Sequence, residues 1–216
     1  IAAVVNGENW DINRVINVDS EIRLITFKDD YSLELIRHDC AHILAEAVLE
    51  LFPETQVTIG PAIETGFYYD FYRKSPFSTD DLATIEQRMH EIVDRDEEIT
   101  RGEWSREEAI RFYKDRNEPF KIELVDAIPE KETVSYYQQG NFIDLCRGPH
   151  MVSTKKVGHA FKLMKVAGAY WRGDSNNPML QRIYGTAFAS QADLQAYLNM
   201  WEEAENRDER KLGKAI

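Results

Sequence analysis

Cysteine is scarce in this chain: two of 216 residues, Cys40 and Cys146. Two thiols cannot frame a disulfide-stapled domain, and they fit a reducing compartment. No hydrophobic run approaches the roughly 18 consecutive apolar residues of a membrane span, and the opening IAAVVNGENWDIN has neither the basic start nor the apolar block of a signal peptide. Seven prolines and eleven glycines are too few for a collagen-like or low-complexity chain. Positive charge is also short, with 26 Lys+Arg against 38 Asp+Glu and a net charge of -12, which argues at first sight against a nucleic-acid partner. These absences predict a soluble protein, cytoplasmic or organellar, and the start at Ile1 predicts a piece of a longer chain. What is present, 43% hydrophobic residues, suffices for one or two ordinary buried cores.

Charge is unevenly distributed. From Cys146 to Ala189, seven basic residues (Arg147, Lys155, Lys156, Lys162, Lys165, Arg172 and Arg182) face one acid, Asp174. The segment carries +6 and the remainder -18. Because salt confines fields to about 8 Å, an acidic molecule can still present a basic face.

Residues 1–30 predict short strands around the Asn6-Gly7 turn, with Val4-Val5, Val15 to Val18 and Ile22 to Phe27 as their apolar positions. They are too few for a complete core. A helix follows from about Ser32 to Phe52, with its apolar stripe on Ile36, Cys40, Ile43, Leu44, Ala47, Val48 and Leu51. Strands are expected at 56–59 and 67–72. Ser78-x-x-Asp81, Ser105-x-x-Glu108 and Ser190-x-x-Asp193 open three helices, the last with Leu194, Tyr197, Leu198 and Trp201 turned inward. Phe120 to Val125 alternates as a strand, 136–146 reads as a hairpin about Gln-Gly-Asn, and further strands fall at 160–166 and 180–188. Helices and strands do not alternate regularly, so the fold class is α+β, a mainly antiparallel sheet packed with helices.

Two motifs hold reactive side chains: His38-Asp39-Cys40-Ala41-His42 and Cys146-Arg147-Gly148-Pro149-His150. Four residues apart on a helix, His38 and His42 stack one turn apart, on the side opposite the apolar stripe. In the strand 142–146, Asp144 and Cys146 share a face, and the Gly-Pro turn lets His150 return beside Cys146. Cys40 faces the core. Three imidazoles, a thiol and a carboxylate can thus meet in one cleft. His-x3-His with Cys-x3-His is zinc spacing, and is equally suited to holding a polar substrate and a water. His90 and His159 show no comparable partners and are expected to be structural or solvent-facing.

The runs RHDCAHILAEAV, IGPAIETGFYYDF, CRGPH and HAFKLMKVAGAYWRGDSNNPMLQRIYGTAF, collinear over nearly the whole chain, resemble the N-terminal part of bacterial-type threonyl-tRNA synthetases. The resemblance implies three pieces: 1–30 as the end of a β-grasp TGS domain, 31–189 as the editing domain, and 190–216 as a linker helix toward an absent catalytic core. It also implies hydrolysis of serine mischarged onto threonine tRNA. That need is physical, since one missing methylene changes binding by only about 1–3 kcal/mol. The implied partners are the serine-bearing 3′ end of tRNA(Thr) and the rest of the synthetase, with no membrane and no cofactor.

Carried over by motif, His38, His42, Lys121, Asp144, Cys146 and His150 form the implied site. His38, with Lys121, would activate a water and stabilise the oxyanion, while His42 and His150 hold ribose and seryl groups. Asp144 would bind the seryl ammonium, and Cys146 would wall off the threonine methyl. Gly60, Pro61, Tyr68, Tyr69 and Asp70 resemble pocket-lining positions, with Tyr69 facing opposite to Tyr68 and Asp70. Arg147, Lys155 and Lys156 are the expected tRNA contacts. Two rivals stand beside this reading. One is an alanyl-type deacylase with Zn2+ on His38, His42, Cys146 and His150; the other is a noncatalytic tRNA-binding appendage.

Overall fold

In the computed structural model, residues 1–212 are described. The Asn6-Gly7 signal closes a hairpin between β1 (Ala2–Val5) and β2 (Glu8–Asp11), and β3 (Ile22–Ile25) pairs with the other edge of β1, all antiparallel. The expected strand at 15–18 does not form, and Val15 and Val18 are 73% and 70% exposed. The chain must cross from one edge of β1 to the other, and residues 12–21 are spent on that span. The small sheet shares a core with the rest of the molecule, since Ala2 and Ile25 pack into the main apolar cluster.

The long helix appears as expected, as α1 (Tyr31–Leu51), but it is not one-sided. Arg37, Asp39, His42 and Glu46 are buried along with Leu35, Ile36, Cys40, Ile43, Leu44, Ala47 and Val48. The polar side of α1 therefore looks into the molecule rather than into water. Following it are β4 (Gln56–Val57), β5 (Ala62–Ile63), β6 (Gly66–Tyr72) and α2 (Thr79–Arg95), the last opened by a complete Ser78/Asp81 capping box. Then come β7 (Ile99–Trp104), α3 (Arg106–Asp115) behind its own Ser105/Glu108 box, and α4 (Pro119–Ala127).

α4 replaces the strand expected at 120–125. Proline at its first turn needs no N–H partner and has a helical φ already set. Phe120 and Leu124 then pack in one cluster, while Ile122 and Val125 pack in another, so spacings of four and three win over the apparent alternation.

A hairpin of β8 (Val134–Gln139) and β9 (Phe142–Leu145) forms about the predicted turn, and β7 completes a three-stranded antiparallel sheet in the order β7-β8-β9. β10 (Phe161–Tyr170) and β11 (Met179–Ala187) join β6, β4 and β5 in the five-stranded sheet, every pairing antiparallel. Phe67, Tyr69, Phe71 and Ile183 are fully buried in the cluster that also holds the apolar side of α1. The last helix, α5 (Gln191–Leu212), buries Leu194, and Tyr197 and Leu198 are half-buried. Trp201, expected inward, is 39% exposed, because the helix has left the body of the molecule by Asn199. The remainder of the expected linker, 213–216, lies outside the described residues. Among the described residues, antiparallel sheets packed with five α-helices make the architecture α+β, as the pattern predicts.

Candidate active site

α1 carries His38 and His42 one turn apart, with ring centroids 5.2 Å from each other. Beyond β9, the Cys146 to His150 turn folds His150 back over both of them. Cys146 Sγ lies 3.0 Å from His38 Nε2 and 3.1 Å from His150 Nε2, and the His150 ring is 4.4 Å from that of His38 and 4.3 Å from that of His42. The four ligand atoms all lie within 4.8 Å of one another. The two motifs, more than a hundred residues apart, are thus brought together as expected, while Cys40 is fully buried in the core.

Beside the cluster lies a buried polar floor. Tyr69 OH donates to Asp144 Oδ2 at 2.6 Å, and Lys121 Nζ donates to Thr58 O at 2.6 Å, to Tyr69 OH at 3.2 Å and to Asp144 Oδ1. His42 Nε2 stands 3.7 Å from Asp144 Oδ2. Lys121 and Asp144 are 1% and 2% exposed, so the lysine is no surface group. All three of its donors are engaged, and Asp144 already accepts from both Lys121 and Tyr69. Gly60 serves this floor rather than the pocket surface, because a Cβ there would overlap the Tyr69 ring.

Sequence reasoning missed Asp39. It is fully buried, its Oδ1 2.6 Å from His150 Nδ1, and its Oδ2 accepts from Met151 N at 3.0 Å. Its place next to His38 gave no signal, since adjacent helical positions diverge by about 100°. Glu34 was findable: it lies one turn before His38 on the same face. It lines a cleft of about 260 Å³ with Tyr31, Leu35, His38, Pro61, Ala62, Gly148 and Pro149. His38 is the member of the cluster on that wall, and the others stand behind it.

Electrostatics follow from burial. Desolvation, with His150 nearby, lowers His38 to about 4, and desolvation alone leads the lowering of His150 to about 4. His42 is lowered by the same cause and by its two imidazole neighbours. All three rings are neutral at pH 7. Burial pushes the Cys146 thiol up, which keeps its proton on, and raises Asp39 to about 7. When ionised, Asp39 accepts from Nδ1–H of His150, so His150 Nε2 is left to accept from the Cys146 thiol. His38 Nε2–H then donates to Sγ, and the free lone pair of the network is on His38 Nδ1.

Other expected contacts stand apart from the cleft. Tyr68 and Asp70 point to the sheet face opposite Tyr69. There Arg182 bonds both Asp70 oxygens at 2.8 and 2.9 Å and lies 3.9 Å over the Tyr68 ring. Arg147 is exposed and paired with Glu132 at 2.8 Å. Lys155 and Lys156 border a separate groove with Phe27, Asp96 and Glu98. Of the seven basic residues in the +6 segment, Arg147, Lys162, Arg172 and Arg182 meet carboxylates, so the segment is less bare than its charge suggests. His90 and His159, expected to be structural or solvent-facing, pair with each other near the surface, Nδ1 to Nδ1 at 2.7 Å.

Residues 134–184, which include β8, β9 and the Cys146 to His150 turn, match the family described as the threonyl and alanyl tRNA synthetase second additional domain. The α+β fold and this match make the middle of the chain similar to a synthetase second additional domain. Over its entire length the chain is 59% identical to the threonine–tRNA ligase of Rhodopseudomonas palustris, 60% to that of Paramagnetospirillum magneticum and 58% to that of Bartonella quintana. It spans about a third of the length of each, 33%, 34% and 33%. The resemblance read from the motifs therefore holds along the whole chain, as similarity to part of a threonyl-tRNA synthetase.

Proposed function

We propose that the chain hydrolyses the ester of serine mischarged onto threonine tRNA. The observation that carries this reading is the position of His38. It is on the cleft wall, uncharged, and backed by Cys146, His150 and Asp39, which leave its Nδ1 free to accept a proton. Water held by that imidazole attacks the ester carbonyl, the water proton passes to His38, and the ribose oxygen departs and is reprotonated. Lys121 and Asp144, committed to each other and to Tyr69, hold the floor and His42 rather than the seryl ammonium. On this reading residues 1–30 end a TGS domain, 31–189 are the editing domain, and 190–216 lead toward the ligase core.

The test is single-turnover hydrolysis of Ser-tRNA and Thr-tRNA by the native chain and by His38→Ala. Serine ester should be cleaved in preference, and the variant should be slower by roughly 10²–10⁴. Tight tRNA binding with neither ester cleaved above background would establish the noncatalytic appendage instead.

A second reading is favoured by the compactness of the cluster. A tetrahedral zinc ion with bonds of about 2.0–2.3 Å needs ligand atoms about 3.3–3.6 Å apart. The 3.0 and 3.1 Å separations would have to open, and the widest, up to 4.8 Å, to close, for three nitrogens and one sulfur to meet such an ion, with a carboxylate already behind His150. Four protein ligands would fill the tetrahedral shell, so zinc held this way would organise the site, and it could activate a water only if one ligand were released or a fifth position opened. One equivalent of zinc in protein purified without added metal, with hydrolysis lost on chelation, would establish the alanyl-type alternative.

A further inference from the structure

Asp11 ends β2, far in sequence from every residue of the cluster, and it is 6% exposed. Its Oδ1 accepts from the backbone N–H of His150 at 2.8 Å, and its Oδ2 from the Tyr137 hydroxyl at 2.7 Å. The Tyr137 ring in turn lies 4.4 Å from the His150 imidazole. One carboxylate thus grips the main chain of His150 and the aromatic ring that packs on its side chain. The fit is tight on the same turn as well: a Cβ at Gly148 would overlap the Tyr137 hydroxyl, and the Gly148 φ is +71°. Asp11 is itself fixed, because it lies opposite Ala2 in register and Ala2 is in the main core.

We infer that the N-terminal strands are a working part of the site, with Asp11 as a positioning residue that sets His150 against Cys146 and His38. Burying a carboxylate is costly unless its oxygens are bonded, and here both bonds run to the reactive turn or its packing partner. The ring of His150 is held from one side by Asp39 at Nδ1, while its backbone is held from the other by Asp11. Removing Asp11 would leave the imidazole and Met151 N–H on Asp39 but release the His150 N–H, the point where the turn itself is held. Geometry of this kind matters because a displacement near 1 Å can cost about 10²-fold in rate. The inference rests on the deacylase reading for its kinetic part only.

The test compares the wild-type chain, Asp11→Ala and Asp11→Asn in single-turnover hydrolysis of Ser-tRNA over a range of protein concentrations. Asp11→Ala is expected to lower the limiting rate at least tenfold while the half-saturating concentration stays within twofold. Asp11→Asn keeps an acceptor for His150 N–H and a donor for Tyr137, and should recover to within threefold of wild type. An Asp11→Ala chain with native circular dichroism and the wild-type limiting rate overturns the inference. Should Asp11→Ala fail to fold, Tyr137→Phe takes its place: a three- to tenfold slower rate supports the inference, and an unchanged rate overturns it. A second readout is independent of activity. The imidazole ¹⁵N signals of His150, assigned by their loss in His150→Gln, should move in the chosen variant and stay put in Asp11→Asn. Unmoved signals in both overturn the positioning role. A wild-type chain inactive on the ester, with those signals moving as expected, refutes the deacylase reading alone.

Discussion

His90 on α2 and His159 ahead of β10 approach Nδ1 to Nδ1 at 2.7 Å, and His159 Nε2 lies 2.8 Å from Asp94 Oδ1. The buried cluster around His38 shows similar contacts, including His150 Nδ1 at 2.6 Å from Asp39 Oδ1. Both groups therefore contain imidazoles linked to a carboxylate. They differ in what surrounds them. The Asp94 side chain is 72% exposed and that of His159 42%, whereas those of Asp39 and His150 are 0% exposed. In the open pair water can replace any bond, so each link contributes little. In the closed cluster an unmade bond has no substitute, and each proton is placed by its neighbour. Burial separates a reactive arrangement from a surface one with the same distances.

The sharpest way to strain this contrast is to remove one charge from the closed side. Lys121→Met leaves Asp144 buried without its cation, and the expected loss is about 3–5 kcal/mol in urea unfolding. A loss under about 1 kcal/mol would mean that the floor is wetter than its burial implies. A smaller, pH-dependent effect isolates His38. Its folded value, about 4, lies below the ordinary 6.5, so the unfolded chain takes up the proton first. The contribution to stability is complete above pH 6.5 and is lost as pH falls toward 4. Relative to His38→Gln, the wild type should therefore lose stability across that interval, and the two should run parallel above pH 7. Parallel curves throughout would show His38 to be solvated. The smallest effect belongs to the open pair: His159→Ala should change unfolding free energy by no more than about 0.5 kcal/mol and leave ester hydrolysis unchanged.

Much of the closed cluster was readable from spacing. Helical geometry stacked His38 on His42, strand alternation put Asp144 with Cys146, and a Gly-Pro turn returned His150, all of which the fold retains. What spacing could not show was depth. The polar side of α1 lies opposite its apolar stripe, and it is turned inward by the β8–β9 hairpin at His42 and Glu46, by the turn at His150 and Met151 over Asp39, and by β11 at Arg37. Lys121 was placed on a strand because Phe120, Ile122 and Leu124 alternate; the same residues split between two apolar clusters on α4, and that turns the lysine into the floor. The carboxylates behind His150 were hidden for different reasons. Asp39 sits on a helix face with no periodic signal, and Asp11 acts across a separation of 139 residues. The basic segment is real in sequence, but the acids opposite four of its seven side chains come from elsewhere in the chain.

Gly148 bears on how this sequence can drift. A substitution there meets two separate obstacles, a left-handed backbone at φ +71° and the Tyr137 hydroxyl in the place of a Cβ. Its neighbour Arg147, with a side chain 80% exposed, meets neither. In a library carrying every amino acid at every position, selection for the site would purge position 148 down to glycine while position 147 stays varied. Glycine there would be held as strictly as the ligand-bearing positions beside it, although it contributes no side-chain chemistry at all.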